Sequence, residues 1–163
     1  SLGFGLVVYK AAQMVMEGKT KEEVLEGIEF NSKHMEGIFT VDDLEYLYKG
    51  GRVSRGSAVI GGLLNIKPIL NVEKGKLIPI DKVRGRKKVL KRILELVRER
   101  GVGLENQTIA ISHGDDIEAA EKVKEIFKEE FGSKDFLIST IGGVIGSHVG
   151  PGTVAVFFLN DIK

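Results

Sequence analysis

The chain has 163 residues, 42% apolar and 29% charged, with 24 Lys and Arg against 23 Asp and Glu. That length supports one domain with a proper core, or one domain plus a piece of another, and the composition predicts a soluble globular protein. The absence of cysteine excludes disulfides, cysteine zinc sites and thiol nucleophiles, three scattered histidines (His34, His113, His148) argue against a metal site, and a net charge of +1 argues against general affinity for nucleic acid or an anionic membrane. With no signal peptide and no integral membrane segment visible, the expected compartment is the cytoplasm.

Ser1-Leu2-Gly3-Phe4-Gly5 lacks an initiator methionine and runs straight into Leu6, Val7, Val8, Ala11, Ala12 and Val15, an apolar pattern that needs a packing partner. It reads as a buried, uncapped helix over 4–17, ending at Gly18, in a chain whose upstream part is missing. Thr20-x-x-Glu23 is a capping box for a second helix to about His34, striped by Val24, Leu25, Ile28 and Phe30, so 1–34 is a helical hairpin. Residues 37–41 form a short β-rich run and are expected as the first strand. Asp42-x-x-Glu45 then opens a helix carrying Leu44, Leu47 and Tyr48, and Gly50-Gly51 stops it, aiming Arg52 where a regular helix would not permit. A further helix, capped by Ser54 and apolar on more than one face through Ala58, Val59, Ile60, Leu63 and Leu64, is buried or lines an apolar cavity.

Pro68 turns the chain into a strand. Strands over 68–72 and 77–83 flank Glu73-Lys74-Gly75-Lys76 as a β-hairpin, and Pro79 places the second strand at an edge or a bulge. Residues 86–100 make an amphipathic helix through Val89, Leu90, Ile93, Leu94 and Val97, stopped by Gly101. A strand over 108–112, a helix opened by Asp115-x-x-Glu118 and stopped by Gly132, a strand over 136–141, a glycine-rich turn over 142–152 and a strand over 153–159 complete the chain. A hairpin mixed with helix crossovers predicts an α/β fold, with a mixed, largely antiparallel sheet and packed helices over 35–163, preceded by the helical hairpin of 1–34.

Three places are candidates for chemistry. Arg52 is either an anion clamp, its guanidinium fork matching a carboxylate or phosphate, or a surface arginine bonding carbonyls at a helix end. The 142–152 turn, with Ser147, His148 and Thr153, either faces an anion with backbone N–H groups or serves helix–strand packing around a hydrogen-bonded core histidine; it contains neither GxGxxG nor GxxxxGK[ST]. Lys82, Arg84, Arg86, Lys87, Lys88, Lys91 and Arg92 are either a solvated helix face or a docking surface for an acidic partner or phosphorylated ligand. No serine, histidine and acid arrangement emerges, and nothing in the sequence requires catalysis.

Taken in order, Ser1-Leu2-Gly3-x-Gly5, Phe39-x4-Leu44-x-Tyr46-Leu47-x-Lys49-Gly50-Gly51-Arg52, Leu63-Leu64-x-Ile66-Lys67-Pro68-Ile69-Leu70, Lys82-x-Arg84-x-Arg86 and His148-x-Gly150-Pro151-Gly152 resemble the carboxy-terminal half of the DegV family of bacterial fatty-acid-binding proteins. The resemblance implies a carboxy-terminal α/β domain over 35–163, with 1–34 a helical remnant of an amino-terminal domain. It implies a non-catalytic lipid carrier without cofactor or metal, which holds one long-chain fatty acid in a tunnel between the two domains. The carboxylate is presented to a partner fatty-acid kinase for acyl-phosphate formation. Arg52 and His148 would then belong to the polar network behind the head group, Phe39, Ile60, Leu63, Leu64, Ile66 and Ile69 to the apolar tunnel, and Arg55, Arg84 and Arg86 to the face offered to the kinase. The hydroxyls that grip the carboxylate lie in the amino-terminal domain. Phe4 and Val149 depart from the family pattern, which has a polar residue and a threonine there. Such a site fits the physics of a fatty acid, whose tail gains about 0.8 kcal/mol per buried methylene and whose carboxylate needs charge-assisted partners. The alternatives are a phosphorylated-metabolite-binding enzyme or regulatory domain using the 142–152 turn, and an interaction module using the basic helix.

Overall fold

The computed structural model describes residues 1–54 and 65–162. Helices α1 (Leu2–Met16) and α2 (Lys21–His34) lie side by side. The α2 capping box forms as expected, Glu23 N–H donating to Thr20 Oγ1 at 3.2 Å and Thr20 N–H to Glu23 Oε2 at 2.7 Å. Helix α1 differs from expectation in two ways. It is capped, because Gly3 N–H donates to the Ser1 hydroxyl at 3.2 Å. It is also not buried all round: Gly3, Leu6 and Val7 pack inward, while Phe4 is 73% and Met16 87% exposed, with Val8 and Val15 beside them. A single helix against a flat sheet can bury only one stripe.

After β1 (Met35–Thr40) come α3 (Leu44–Lys49), β2 (Ile66–Glu73), β3 (Lys76–Arg84), α4 (Arg86–Arg100), a 3-10 turn (Leu104–Asn106), β4 (Thr108–His113), α5 (Ile117–Phe131), β5 (Asp135–Thr140), α6 (Gly143–Val149) and β6 (Val154–Leu159). The strands form one open sheet in the order β3-β2-β1-β6-β4-β5. Of its pairings, β4 with β5 is parallel and the others are antiparallel. The β2–β3 turn has Lys74 at φ 49° and Gly75 at φ 75°, the left-handed pair whose twist suits a two-residue hairpin. Pro79 meets both of its expectations: β3 is an edge strand, and its register with β2 slips between Ile69 and Leu70.

Alternation along the strands divides the core into two layers. Ile38, Ile69, Ile109, Ile111, Val154, Val156 and Phe158 pack under α4 and α5. Phe39, Leu70, Ala110, Ala155 and Phe157 face the other way, with Leu6 of α1, Leu44 and Leu47 of α3 and Val149 of α6. Ile69 therefore cannot line a channel with Phe39 as expected; one step of strand parity puts it beneath α4 and gives its place to Leu70.

Three further boundaries move. Asp43 and Asp116, rather than Asp42 and Asp115, cap α3 and α5, because Asp42 is drawn into ion pairs and Asp115 turns into left-handed backbone at φ 54°. The glycine-rich stretch expected as a turn contains α6, whose last residue, Val149, is buried in the core and so supplies the tertiary support that its glycines withhold.

The edge strand is tied to the helix above it. Arg92 Nε of α4 donates to Asp81 Oδ2 of β3 at 2.8 Å, and Arg92 Nη1 reaches Glu95 and Glu99, each at 3.2 Å. The Arg92 hydrogen bond, followed by the Lys82 backbone N–H, holds the Asp81 carboxyl below its ordinary value. A depressed carboxylate contributes its full stability above the unfolded value of 3.8 and loses it as pH falls through the folded value. Asp81→Asn should therefore cost about 0.5–1 kcal/mol at pH 7, discounted for the solvent that reaches the pair. Urea unfolding of both chains across a pH series should show this gap constant above pH 5 and closing below 3.8.

Candidate functional site

The site grows out of the end of α3. Asp43 Oδ1 accepts from Glu45 N–H at 2.8 Å to start the helix, and Leu44 and Leu47 bury its inner side. It closes in a Schellman arrangement, with Gly51 N–H donating to Tyr48 C=O at 2.9 Å and Arg52 N–H to Leu47 C=O at 2.8 Å. Gly51, at φ 68°, is the left-handed residue this requires. The turn delivers Arg52 to the surface, where its Nη1 donates to Gly50 C=O at 2.7 Å.

Beside that turn opens a cleft of about 550 Å³, with residues 51–54 on one wall and residues 75–79 of the hairpin on the other. Its volume falls within the roughly 300–1,000 Å³ usual for small-molecule sites. Val53 and Leu77 line it and pack against the core layer that holds Phe39, Leu47 and Leu70. Exposed Arg52 and Lys76 bring two cations to its walls. An apolar floor beneath positive groups is chemically suited to an amphipathic anion.

His148, on α6, reaches the end of α3 from a distant part of the sequence. Its ring lies so close to Gly50 that a Cβ there would meet Cγ and Cε1 at 3.1 Å and Nδ1 closer still. One turn along the same contact, the Tyr46 ring lies against Gly150, where an added Cβ would be 2.7 Å from Cδ2. Arg52 and His148 thus both meet Gly50, Arg52 at its carbonyl and His148 where a side chain would start. The imidazole is half-buried and makes no hydrogen bond among the described residues, so it is not a hydrogen-bonded core histidine.

Of the expected tunnel residues, Phe39 is in the core layer beneath the cleft and Ile66 is half-buried at the start of β2. Arg55, Ile60, Leu63 and Leu64 lie outside the described residues. Val53, Lys76 and Leu77 were missed from sequence. The inward alternation of Leu77 along the hairpin was a usable signal for one of them, whereas Val53 and Lys76 offered none.

The basic cluster separates into two kinds of residue. Arg84 is exposed and has no partner among the described residues. Arg86, expected on a docking face, is instead a structural tie: Nη1 pairs with Asp42 at 2.9 Å and donates to Gly152 C=O at 2.6 Å, and Nη2 pairs with Asp116. Lys67 Nζ joins Asp42 at 3.0 Å, and Asp116 Oδ1 accepts from Ala119 N–H at 3.1 Å to cap α5. The knot holds together the segments entering α3, β2, α4, α5 and β6. Gly152 admits it, because a Cβ there would meet Asp42 Oδ2 at 2.5 Å. Among the described residues no three metal-ligating side chains gather, and no helix is long and apolar enough to cross a membrane.

The model of the family described as DegV, an uncharacterised protein family, matches residues 1–161. A DegV domain-containing protein of Clostridium perfringens is 48% identical over 99% of this chain and 56% of its own length. A DegV family protein of Thermus thermophilus, whose structure is described by its fatty acid binding, superposes with a TM-score of 0.84 at 32% identity, over 96% of this chain and 56% of that one. A DegV family protein of Ruminococcus gnavus, solved with vaccenic acid, gives 0.82 at 30% identity, over 94% of this chain and 55% of that one. The chain thus spans about half the length of the relatives it matches.

The division of the basic cluster is directly measurable. Arg86→Ala should destabilise the fold by about 1–3 kcal/mol, because it leaves the partly buried Asp116 carboxylate without its ionic partner and removes the donor to Gly152 C=O, whereas Arg84→Ala should stay within about 0.5 kcal/mol of the native chain. Chemical denaturation of the two variants side by side checks this.

Proposed function

Because this chain belongs to the DegV family over residues 1–161, we propose that it is the larger part of a long-chain fatty-acid carrier that performs no chemistry of its own. The observation that carries the reading is the cleft beside Arg52, with Val53 and Leu77 continuous with the apolar core and cations on its walls. Relatives at 30% identity and above supply the ligand class, since fatty acid binding and vaccenic acid are named for them.

In this reading the acyl tail lies along Val53 and Leu77 above the Phe39 and Leu70 layer, and the carboxylate turns toward the neighbourhood shared by Arg52 and His148. Burying the tail supplies about 0.8 kcal/mol per methylene, so a long chain binds by its length while the guanidinium fixes its direction. The exposed apolar face of α1, with Phe4, Val8, Val15 and Met16, offers surface for a further domain, and the relatives' greater length leaves room for one. That domain would close the tunnel and contribute the hydroxyls that grip the carboxylate. The loaded carrier would then present its carboxylate to a kinase that forms the acyl phosphate, with exposed Arg84 on the docking face. The phosphorylated-metabolite alternative is less well supported, because the cleft lies beside residues 51–54 and 75–79 rather than at the 142–152 turn.

The test uses protein of the relatives' full length carrying these residues, stripped of lipid and offered vaccenic acid. Mass spectrometry after repurification should recover one acid per chain, and saturating acid should raise the melting temperature, since occupancy at a hundredfold excess over Kd stabilises by about 2.7 kcal/mol. Arg52→Ala should weaken binding by about ten- to a hundredfold, the loss of one charged hydrogen bond to the carboxylate. Retention of no acid, together with stabilisation by a sugar phosphate, would reverse the assignment in favour of the alternative.

A further inference from the structure

Two adjacent glycines end α3, and only one of them is explained by the backbone. Gly51 sits at φ 68°, where a side chain is strained. Gly50 sits at φ −78°, ψ −1°, ordinary helical backbone open to any residue, and alanine would be favoured there by intrinsic propensity. What forbids a side chain at position 50 is the His148 imidazole, with Cγ and Cε1 3.1 Å from where a Cβ would stand and Nδ1 nearer. The same residue's carbonyl receives the Arg52 guanidinium at 2.7 Å.

We propose that Gly50 is a positioning residue of the ligand site: its bare Cα is the seat against which the His148 imidazole rests, so that one peptide sets both the imidazole and the Arg52 guanidinium. The proposal rests on the fatty-acid reading of this site and adds what holds its polar end in register. The neighbouring contact supports it. Tyr46 against Gly150 locks α3 onto α6 on one side, and His148 against Gly50 locks it on the other. Gly150, however, has φ 75° and would be strained by any side chain, so Gly50 is the clean probe.

Gly50→Ala leaves the backbone unstrained and obliges the imidazole, a rotatable side chain, to swing away. In protein of the relatives' length, the melting temperature should change little, the imidazole resonances of His148 should move, and affinity for vaccenic acid should fall about tenfold. His148→Ala should lower affinity to a similar degree, and adding Gly50→Ala to it should cost nothing more, because the two substitutions remove one arrangement. Unchanged His148 resonances in Gly50→Ala, or losses that simply add, would overturn the proposal. If Gly50→Ala does not fold, Gly50→Ala/His148→Ala should, since the obstacle is then gone; failure of that pair would also overturn it. If the native protein retains no vaccenic acid, the carrier reading fails, and the His148 resonances still decide whether Gly50 is the seat.

Discussion

Strand β6 is paired along both edges, to β1 and to β4, and all six of its residues are buried. This double pairing holds the rest together, because it joins two halves that have no other continuous sheet between them. One half is the antiparallel meander of β1, β2 and β3; the other is the parallel pair β4 and β5 with its crossover helix α5. Val154, Val156 and Phe158 fill the layer under α4 and α5, and Ala155 and Phe157 fill the layer under α1 and α3. The strand's far end is fastened by Gln107, whose buried side-chain amide donates to Leu159 C=O at 2.9 Å and accepts from Leu159 N–H at 2.7 Å, imitating a strand partner. Phe157 also brings α1 down onto the sheet, since its ring meets Gly3 and Gly37, where an added Cβ would stand 2.8 and 3.0 Å away.

The two faces that β6 separates do different work. The α4 and α5 face is a closed core built by long amphipathic helices, and its edge is tied by Arg92 and Asp81. The opposite face is covered by α1 and by the short helices α3 and α6, with the cleft lying between the end of α3 and the hairpin. On that face a short helix ending in paired glycines brings a guanidinium to the rim of an apolar layer. The ion-pair knot of Arg86, Asp42, Asp116 and Lys67 fixes the loops at one end of the sheet, so the entry to α3 is anchored at the same junction as the entry to β6.

Charge follows the same division. Arg86 and Arg92 are internal ties, whereas Lys82, Arg84, Lys87, Lys88 and Lys91 are exposed and have no ionic partner among the described residues. A single basic cluster in the sequence is therefore two populations in the fold, one bearing on stability and the other available to an anionic surface. Formal counts of charge hide that distinction, because pairing depends on which carboxylates the fold brings near.

Much of the molecule was legible from the chain alone, wherever the deciding physics is local. The capping box at Thr20, the 86–100 helix with its apolar stripe, the hairpin turn at Lys74-Gly75 and the edge position of Pro79 all follow from backbone preference and periodicity within a few residues. Helix stops at Gly51 and Gly132 follow equally from the positive φ that those ends demand. Tertiary structure alone decided that β6 is central, that Leu70 rather than Ile69 shares the layer of Phe39, that Asp42 leaves its capping role for Arg86 and Lys67, that α6 forms at all, and that His148 rests on Gly50. Each of these depends on contacts between residues far apart in the sequence, and a contact that forms only when the sheet closes leaves no periodic trace in either segment.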